Sequence, residues 1–388
     1  MRCPDTTGTT VREGSPQGMA LRPLRRSKKK ATALLPAPVT HPAHAPATSG
    51  WLLIGKDGRL GAYAAADGGM LCWTERRPGG PEWSQPLLFE MPEAQHFALG
   101  QGPNGYVHLV AQRRAVRDDG LIDVGLAHAT QYQSGRRTTP WHPLGCPFAD
   151  VEHGGSLGQP AATVDHNGSL YVLPLNPGGR ISVRAEQRDG RWGAWVELAG
   201  DGSHTSLTAL TSASGRVHVL AVGPGAVRHW AQTEPAGALE PSDAYPVGLA
   251  GGSVTPLETA PDRLSLYGTD ARTGELVVHR PGGDTVALGL TPAGGPPAAV
   301  RTVIDGHDCT VLAVRGRDGR LSVAACPTGA EESGANWSTT GEPVLGAPAM
   351  NLDAQGRVVI AAIGTDGALR ITRQKPEPGL ALEAWRRV

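Results

Sequence analysis

Trp51-Leu-Leu-Ile-Gly-Lys-Asp-Gly-Arg-Leu-Gly-Ala-Tyr-Ala-Ala-Ala-Asp-Gly-Gly-Met-Leu-Cys-Trp73, closed off by Trp83-Ser84, decides the fold. It is a short apolar run, an Asp57-Gly58 turn, a second apolar run, an Asp67-Gly68 turn and a third apolar run. A Trp-led segment ends the unit. Asp-Gly supplies the positive φ that a tight hairpin turn demands, so three runs joined this way read as antiparallel strands.

The same grammar recurs to the C-terminus. First turns follow at Asn104-Gly105, Asn167-Gly168, Ser214-Gly215, a worn Pro261-Asp262, a blurred site near Gly306–Asp308, and Gln355-Gly356. Second turns lie about ten residues later, at Pro177-Gly178, Pro224-Gly225, Thr273-Gly274, Asp318-Gly319 and Asp366-Gly367. The runs between them, such as Arg216-Val-His-Val-Leu-Ala-Val222 and Arg357-Val-Val-Ile-Ala-Ala-Ile363, are apolar almost throughout. A strand reads that way when both of its faces are covered. Four-stranded units stacked radially cover both faces and leave only short edges. A repeat of about 47 residues over 50–388, with one enlarged unit, predicts an all-β, seven-bladed β-propeller. The enlarged unit is the second, with extra residues around Arg113–Gly120 and again between Trp141 and Gly155. Each terminal unit holds its own strands, so the ring is expected to close by face-to-face packing alone.

Composition agrees. The chain has 388 residues with 53 Gly and 33 Pro, a turn-rich mixture. Its 36 Lys+Arg balance 36 Asp+Glu, so no global field points at nucleic acid. No run approaches the apolar length of a membrane span. The five cysteines, Cys3, Cys72, Cys146, Cys309 and Cys326, show no metal or redox spacing, and nothing in the sequence asks for a cofactor.

Residues 1–49 differ from the rest. They are Pro-rich and basic, with Arg25-Arg-Ser-Lys-Lys-Lys30, and lack hydrophobic periodicity. This predicts a disordered tail. A degenerate export signal is the alternative, from that cluster, the short Ala31–Val39 stretch and Ala43-His-Ala45, but Pro36 and Pro38 break the stretch. The expected location is cytoplasmic, with secretion as the alternative.

Lys56-Asp-Gly-Arg-Leu60, Arg317-Asp-Gly-Arg-Leu321, Thr365-Asp-Gly-Ala-Leu369 and Trp192-Gly-Ala-Trp-Val-Glu-Leu198 resemble the repeats of bacterial seven-bladed propeller lectins and their tectonin-like relatives. The resemblance covers about residues 50–388. It implies sugar pockets between neighbouring blades, with tryptophans near the blade ends as the stacking surfaces. The matching residues are Trp83, Trp141, Trp192, Trp195, Trp337 and Trp385. Units four and five depart from the pattern, with Ser242-Asp-Ala-Tyr245 and Thr285-Val-Ala-Leu288 at that place. Seven equal sites are therefore not expected. Each indole also has a purely structural reading, as a ring wedged between blades.

Strings that imitate catalytic motifs lack their context. Gly100-Gln-Gly-Pro-Asn-Gly105 is followed by a strand rather than a phosphate-binding helix, and so is Gly154-Gly-Ser-Leu-Gly158. His307-Asp308-Cys309 falls on a hairpin turn. Asp118-Asp119 and Glu331-Glu332 read as solvated loop charge. The sequence thus favours a non-catalytic binding module that takes a glycan. A protein-interaction scaffold using rim loops is the alternative, and a divergent propeller hydrolase with a carboxylate pair at the channel is the third reading.

Overall fold

A computed structural model describes residues 41–116, 118–148, 156–200 and 202–388. Of the expectations above, the tail over residues 1–40 and the second insertion over 149–155 lie outside the described residues.

Seven four-stranded antiparallel sheets follow one another along the chain, each built from consecutive strands. They span residues 52–90, 94–145, 161–197, 206–245, 255–287, 298–340 and 344–387, and are called blades 1 to 7 below. The second strands are buried on both faces, as in Val358–Gly364, where every residue is covered. The apolar runs have this origin. One apolar cluster fills each blade interface; for example, Tyr63, Met70 and Cys72 of blade 1 meet Val107 and Leu109 of blade 2. Burial pushes the Cys72 thiol up to about 11 and that of Cys326 up to about 12, which makes both inert packing groups.

The first turns use glycine in the left-handed region, with φ of 74° at Gly58 and 83° at Gly215. In blade 5, Asp262 takes the same role at φ 54°, and its amide is held by Glu258 Oε1 at 2.8 Å. In blade 6, Asp305 does so at φ 50°. These are the two places where the repeat is blurred in sequence. The first insertion extends the middle hairpin of blade 2, with pairs continuing to Val116↔Ile122, and leaves Val116 75% and Leu121 52% exposed.

Three features differ from the sequence reading. Residues 41–49 are part of the propeller rather than of a tail. Ala43 is buried and pairs with Ala66, and its amide donates to Gly367 O at 2.9 Å. Ala347 N donates to Pro46 O at 2.8 Å, and Ser49 Oγ lies 3.2 Å from Thr255 Oγ1 at the start of the inner strand of blade 5. The segment thus ties blades 7, 1 and 5 together before it enters the first strand of blade 1. Its small residues carry no periodicity because backbone groups make most of these contacts.

Ring closure is the second difference. Among the described residues no strand is shared, but packing is not alone: Arg373 of blade 7 pairs with the buried Glu75 of blade 1 and donates to Gly79 O and Gly80 O at 3.0 and 2.8 Å.

Glu331 is the third. It is fully buried rather than solvated, accepts from Tyr267 Oη at 2.6 Å, and pairs with Arg280.

Candidate functional site

The six tryptophans stand just before the outer strands, and each turns toward the preceding blade. Trp141 Nε1 donates to Glu90 O at 2.9 Å, and Trp337 Nε1 to Leu288 O at 2.7 Å. Trp385 Nε1 donates to Thr340 Oγ1 at 3.1 Å. Trp230 of blade 4, on a third strand, makes the same kind of bond to Ala199 O at 2.8 Å. In each case the indole ties its blade to the outer edge of the blade before it. Blade 3 uses a cation instead. Arg184 donates to Leu144 O of blade 2 and to Gly193 O, with Cζ 5.9 and 5.8 Å from the ring centroids of Trp192 and Trp195. Trp83 is 9% exposed and packs on blade 7. In blade 4, where the sequence lacks this tryptophan, buried Tyr245 stands between His229 and His279 at centroid distances of 5.7 and 6.0 Å.

Strand register shows where space remains between blades. Trp83, Trp192 and Leu382 bridge Glu75, Glu186 and Gln374 in the same way, so they occupy one register in blades 1, 3 and 7. The residues they face in the preceding blade are also equivalent. Ile371, His128 and Val323 pair with the fully buried second-strand residues Ala361, Val110 and Ala313. Trp83 on Ile371 leaves a void of about 10 Å³, room for one water at most. Trp192 meets His128 edge to face at 5.6 Å. Leu382 beside Val323 leaves a cleft of about 470 Å³, within the roughly 300–1,000 Å³ of small-molecule sites.

This cleft between blades 6 and 7 has two unlike walls. Val323, Ala325, Leu380 and Leu382 supply aliphatic surface, while Asn336, Ser338, Thr339 and Thr340 supply amide and hydroxyl groups. Alternation along the outer segment of blade 6 explains the polar wall. Trp337 turns to blade 5, and its sequence neighbours Asn336 and Ser338 turn to the cleft. Trp385 holds Thr340 in place. Two of the six sequence-nominated residues therefore border the cleft from behind, and none of the six lines it. A signal did exist in the sequence: Leu382 stands where blades 1 and 3 carry Trp83 and Trp192.

Electrostatics elsewhere is closed upon itself. His108 Nδ1 lies 3.1 Å from His128 Nε2, and His218 Nδ1 lies 3.0 Å from His229 Nε2; both pairs are stacked at 5.3 Å. Burial pulls His108 and His229 down to about 4 and His128 to about 3, so all three are neutral near pH 7. Glu258, on an inner strand, spends its carboxylate on the amides of Ala213 and Asp262. Among the described residues, no group of three or more His, Cys, Asp or Glu side chains is placed to hold a metal ion. No helix among them is long and apolar enough to cross a membrane.

No family model matches the chain, and no curated protein matches it. Solved structures do. A Hadza microbial sialidase is similar at 15% identity over 76% of this chain and 71% of its own, with a TM-score of 0.47. The Aleuria aurantia lectin, solved with Fucα1-6GlcNAc, is similar at 14% identity over 76% and 96%, with a TM-score of 0.45. AofleA from Arthrobotrys oligospora is similar at 12% over 76% and 86%, with a TM-score of 0.48.

Proposed function

We propose that the chain is a non-catalytic binding propeller that takes a carbohydrate in the cleft between blades 6 and 7. The two-walled chemistry of that cleft carries the reading. A sugar ring offers an apolar C–H face and a rim of hydroxyls. Leu380 and Leu382 suit the first, and Asn336, Ser338 and Thr339 suit the second. A wholly apolar cleft would favour a lipid or aromatic ligand, and a charged one an ionic ligand. Glycan-array screening of the full chain, followed by titration calorimetry on the best sugars, tests the reading. Binding that weakens when Asn336 and Ser338 are both changed to Ala supports it. A folded protein that ignores every glycan refutes it.

A second reading, a protein-interaction scaffold, is favoured by the extended hairpin of blade 2 with its exposed Val116 and Leu121. A partner lost on shortening that hairpin, but retained by the Asn336→Ala/Ser338→Ala variant, would support the scaffold instead.

A further inference from the structure

We propose that Thr340 is the hydroxyl donor that selects the sugar in the blade 6–7 cleft, and that Trp385 is its positioning residue. This rests on the reading of that cleft as a carbohydrate site. It adds which group reads the sugar and what that group requires, an acceptor oxygen.

Strand register singles Thr340 out. In each blade one outer-strand residue stands opposite an apolar residue of the third strand. Phe89 pairs with Met70, Tyr245 with Val227 and Thr340 with Leu321. Leu198, Leu288 and Val388 hold the same place, their amides bonded to the carbonyls of Ile181, Leu276 and Leu369. In blade 2, where the pairing is bulged, Leu144 packs with Leu126. Every other blade thus puts an apolar or aromatic side chain at this register, and all but Val388 are buried. Blade 6 puts a hydroxyl there, and a hydroxyl facing an apolar seam needs a partner.

That hydroxyl is held from one side only. Trp385 Nε1 donates to Thr340 Oγ1 at 3.1 Å. The corresponding indoles of Trp141 and Trp337 donate to backbone carbonyls, those of Glu90 and Leu288. A carbonyl ends the chain of bonds, whereas a hydroxyl that accepts one bond still has a proton to give. Among the described residues no acceptor takes that proton, and Thr340 lines the cleft. Accepting from the indole also strengthens the bond that the hydroxyl donates. The indole is itself fixed. It packs on the apolar cluster of this seam, and a Cβ on Gly341 would lie 2.7 Å from its Nε1, so the bare backbone of Gly341 lets the ring approach Thr340.

Burial makes Thr340 the selective member of the polar wall. Asn336, Ser338 and Thr339 are exposed and can return to water, whereas Thr340 is half-buried. A sugar that offers it no acceptor leaves a partly desolvated donor unpaired, which is the stronger source of discrimination.

Calorimetry on the full chain, with the neutral oligosaccharide that scores highest on the array, tests the pair as a double-mutant cycle. Thr340→Val keeps the shape and removes the proton, and is expected to weaken binding about tenfold or more. Trp385→Phe keeps a ring in the seam and removes its N–H, for a loss of about threefold to tenfold. Together the two changes are expected to weaken binding no further than Thr340→Val alone, because the indole acts through the hydroxyl. Thr340→Ser restores the proton and recovers most of the loss seen in Thr340→Val. By NMR, the Trp385 indole N–H resonance shifts on saturation with the same oligosaccharide in the wild type and stays in place in Thr340→Val. If Trp385→Phe does not fold, the comparison of Thr340→Val with Thr340→Ser and the indole resonance make the same test. Wild-type affinity in Thr340→Val, or additive losses in the double variant, would overturn the proposal and leave the carbohydrate reading in place. Absence of any glycan binding by the folded wild type would instead overturn the functional reading beneath it.

Discussion

Arg373 and Glu75, 298 residues apart in the chain, meet as an ion pair with side chains 5% and 0% exposed. The guanidinium also lies 3.1 Å from the buried Asp353 Oδ2. Arg357 joins the cluster by donating to Asp353 Oδ2 at 3.0 Å and to Gly79 O at 2.8 Å. Burial works to raise the Glu75 carboxyl, and the Leu60 amide and Arg373 oppose it. Two carboxylates from the two ends of the chain thus share one buried cation at the seam of the ring. The ring closes without a shared strand because this cluster, together with apolar packing, spans the seam.

Removing the cation alone leaves Glu75 and Asp353 buried without it. Breaking a buried pair in this way costs about 3–5 kcal/mol, whereas replacing the whole pair with apolar or neutral groups costs far less. Arg373→Met is therefore expected to lower equilibrium stability in guanidinium by that amount, and Arg373→Met with Glu75→Gln to recover part of it. Equal losses in the single and double variants would show that the seam is held by packing alone.

The fold was legible because its turns are chemically demanding. Asp57-Gly58 and Ser214-Gly215 announce positive φ locally, and their spacing exposes the array. The polar ties behind the blades were written in the sequence but went unread. Glu75, Gln232 and Gln374 each follow a second-turn glycine by seven positions and accept the amides of Leu60, Val217 and Val358. The cleft was not legible. It is a matter of side-chain volume at Leu382, and it has meaning only once strand register aligns that residue with Trp83 and Trp192 of blades 1 and 3. Burial of Glu331 was hidden for a related reason, since its partner Tyr267 belongs to another blade.

The indole bonds predict a separation of roles among the tryptophans. Trp141→Phe keeps most of the packing against Phe97 but strips the donor from Glu90 O, for a loss of about 0.5–1.5 kcal/mol. Trp141→Ala also removes the ring and should cost about 3–5 kcal/mol. Neither change touches the lining of the blade 6–7 cleft, so sugar affinity measured by calorimetry should hold in both folded variants. Loss of binding in Trp141→Phe would mean that this tryptophan contacts the ligand.

Acid should destabilise the ring through its imidazole pairs. His108 and His229 sit at about 4 and His128 at about 3, all pulled down chiefly by burial from the ordinary 6.5. Above pH 6.5 these groups are neutral in both the folded and unfolded chains and stability is at its plateau. As pH falls below 6.5 the unfolded chain takes up protons that the folded chain refuses, so stability declines until pH reaches 4 to 3. An imidazole still neutral at pH 4.5 takes away roughly 2–3 kcal/mol relative to pH 7. Urea midpoints at pH 7 and 4.5 should differ strongly in the wild type and less in His128→Gln/His229→Gln. The same drop in both proteins would place the acid sensitivity elsewhere.

The segment over residues 43–49 can be displaced by one methyl group. Gly346 has φ 64°, and a Cβ there would lie 2.4 Å from Pro46 O, the acceptor of the Ala347 amide. Gly225 serves as a control, with a similar φ of 72° and nothing within 4 Å of its would-be Cβ. Ala at either position incurs the left-handed backbone cost, about 1–2 kcal/mol. Only Gly346→Ala also collides with the crossing segment, so the two variants separate backbone strain from the clash. Hydrogen exchange should show faster exchange at Ala43, His44 and Ala347 in Gly346→Ala, with second-strand amides such as Val359 and Ala361 still protected. In Gly225→Ala those three amides should exchange as in the wild type. Unchanged protection of Ala43 and Ala347 in Gly346→Ala would show that the segment accommodates the methyl group and is not held in place by this contact.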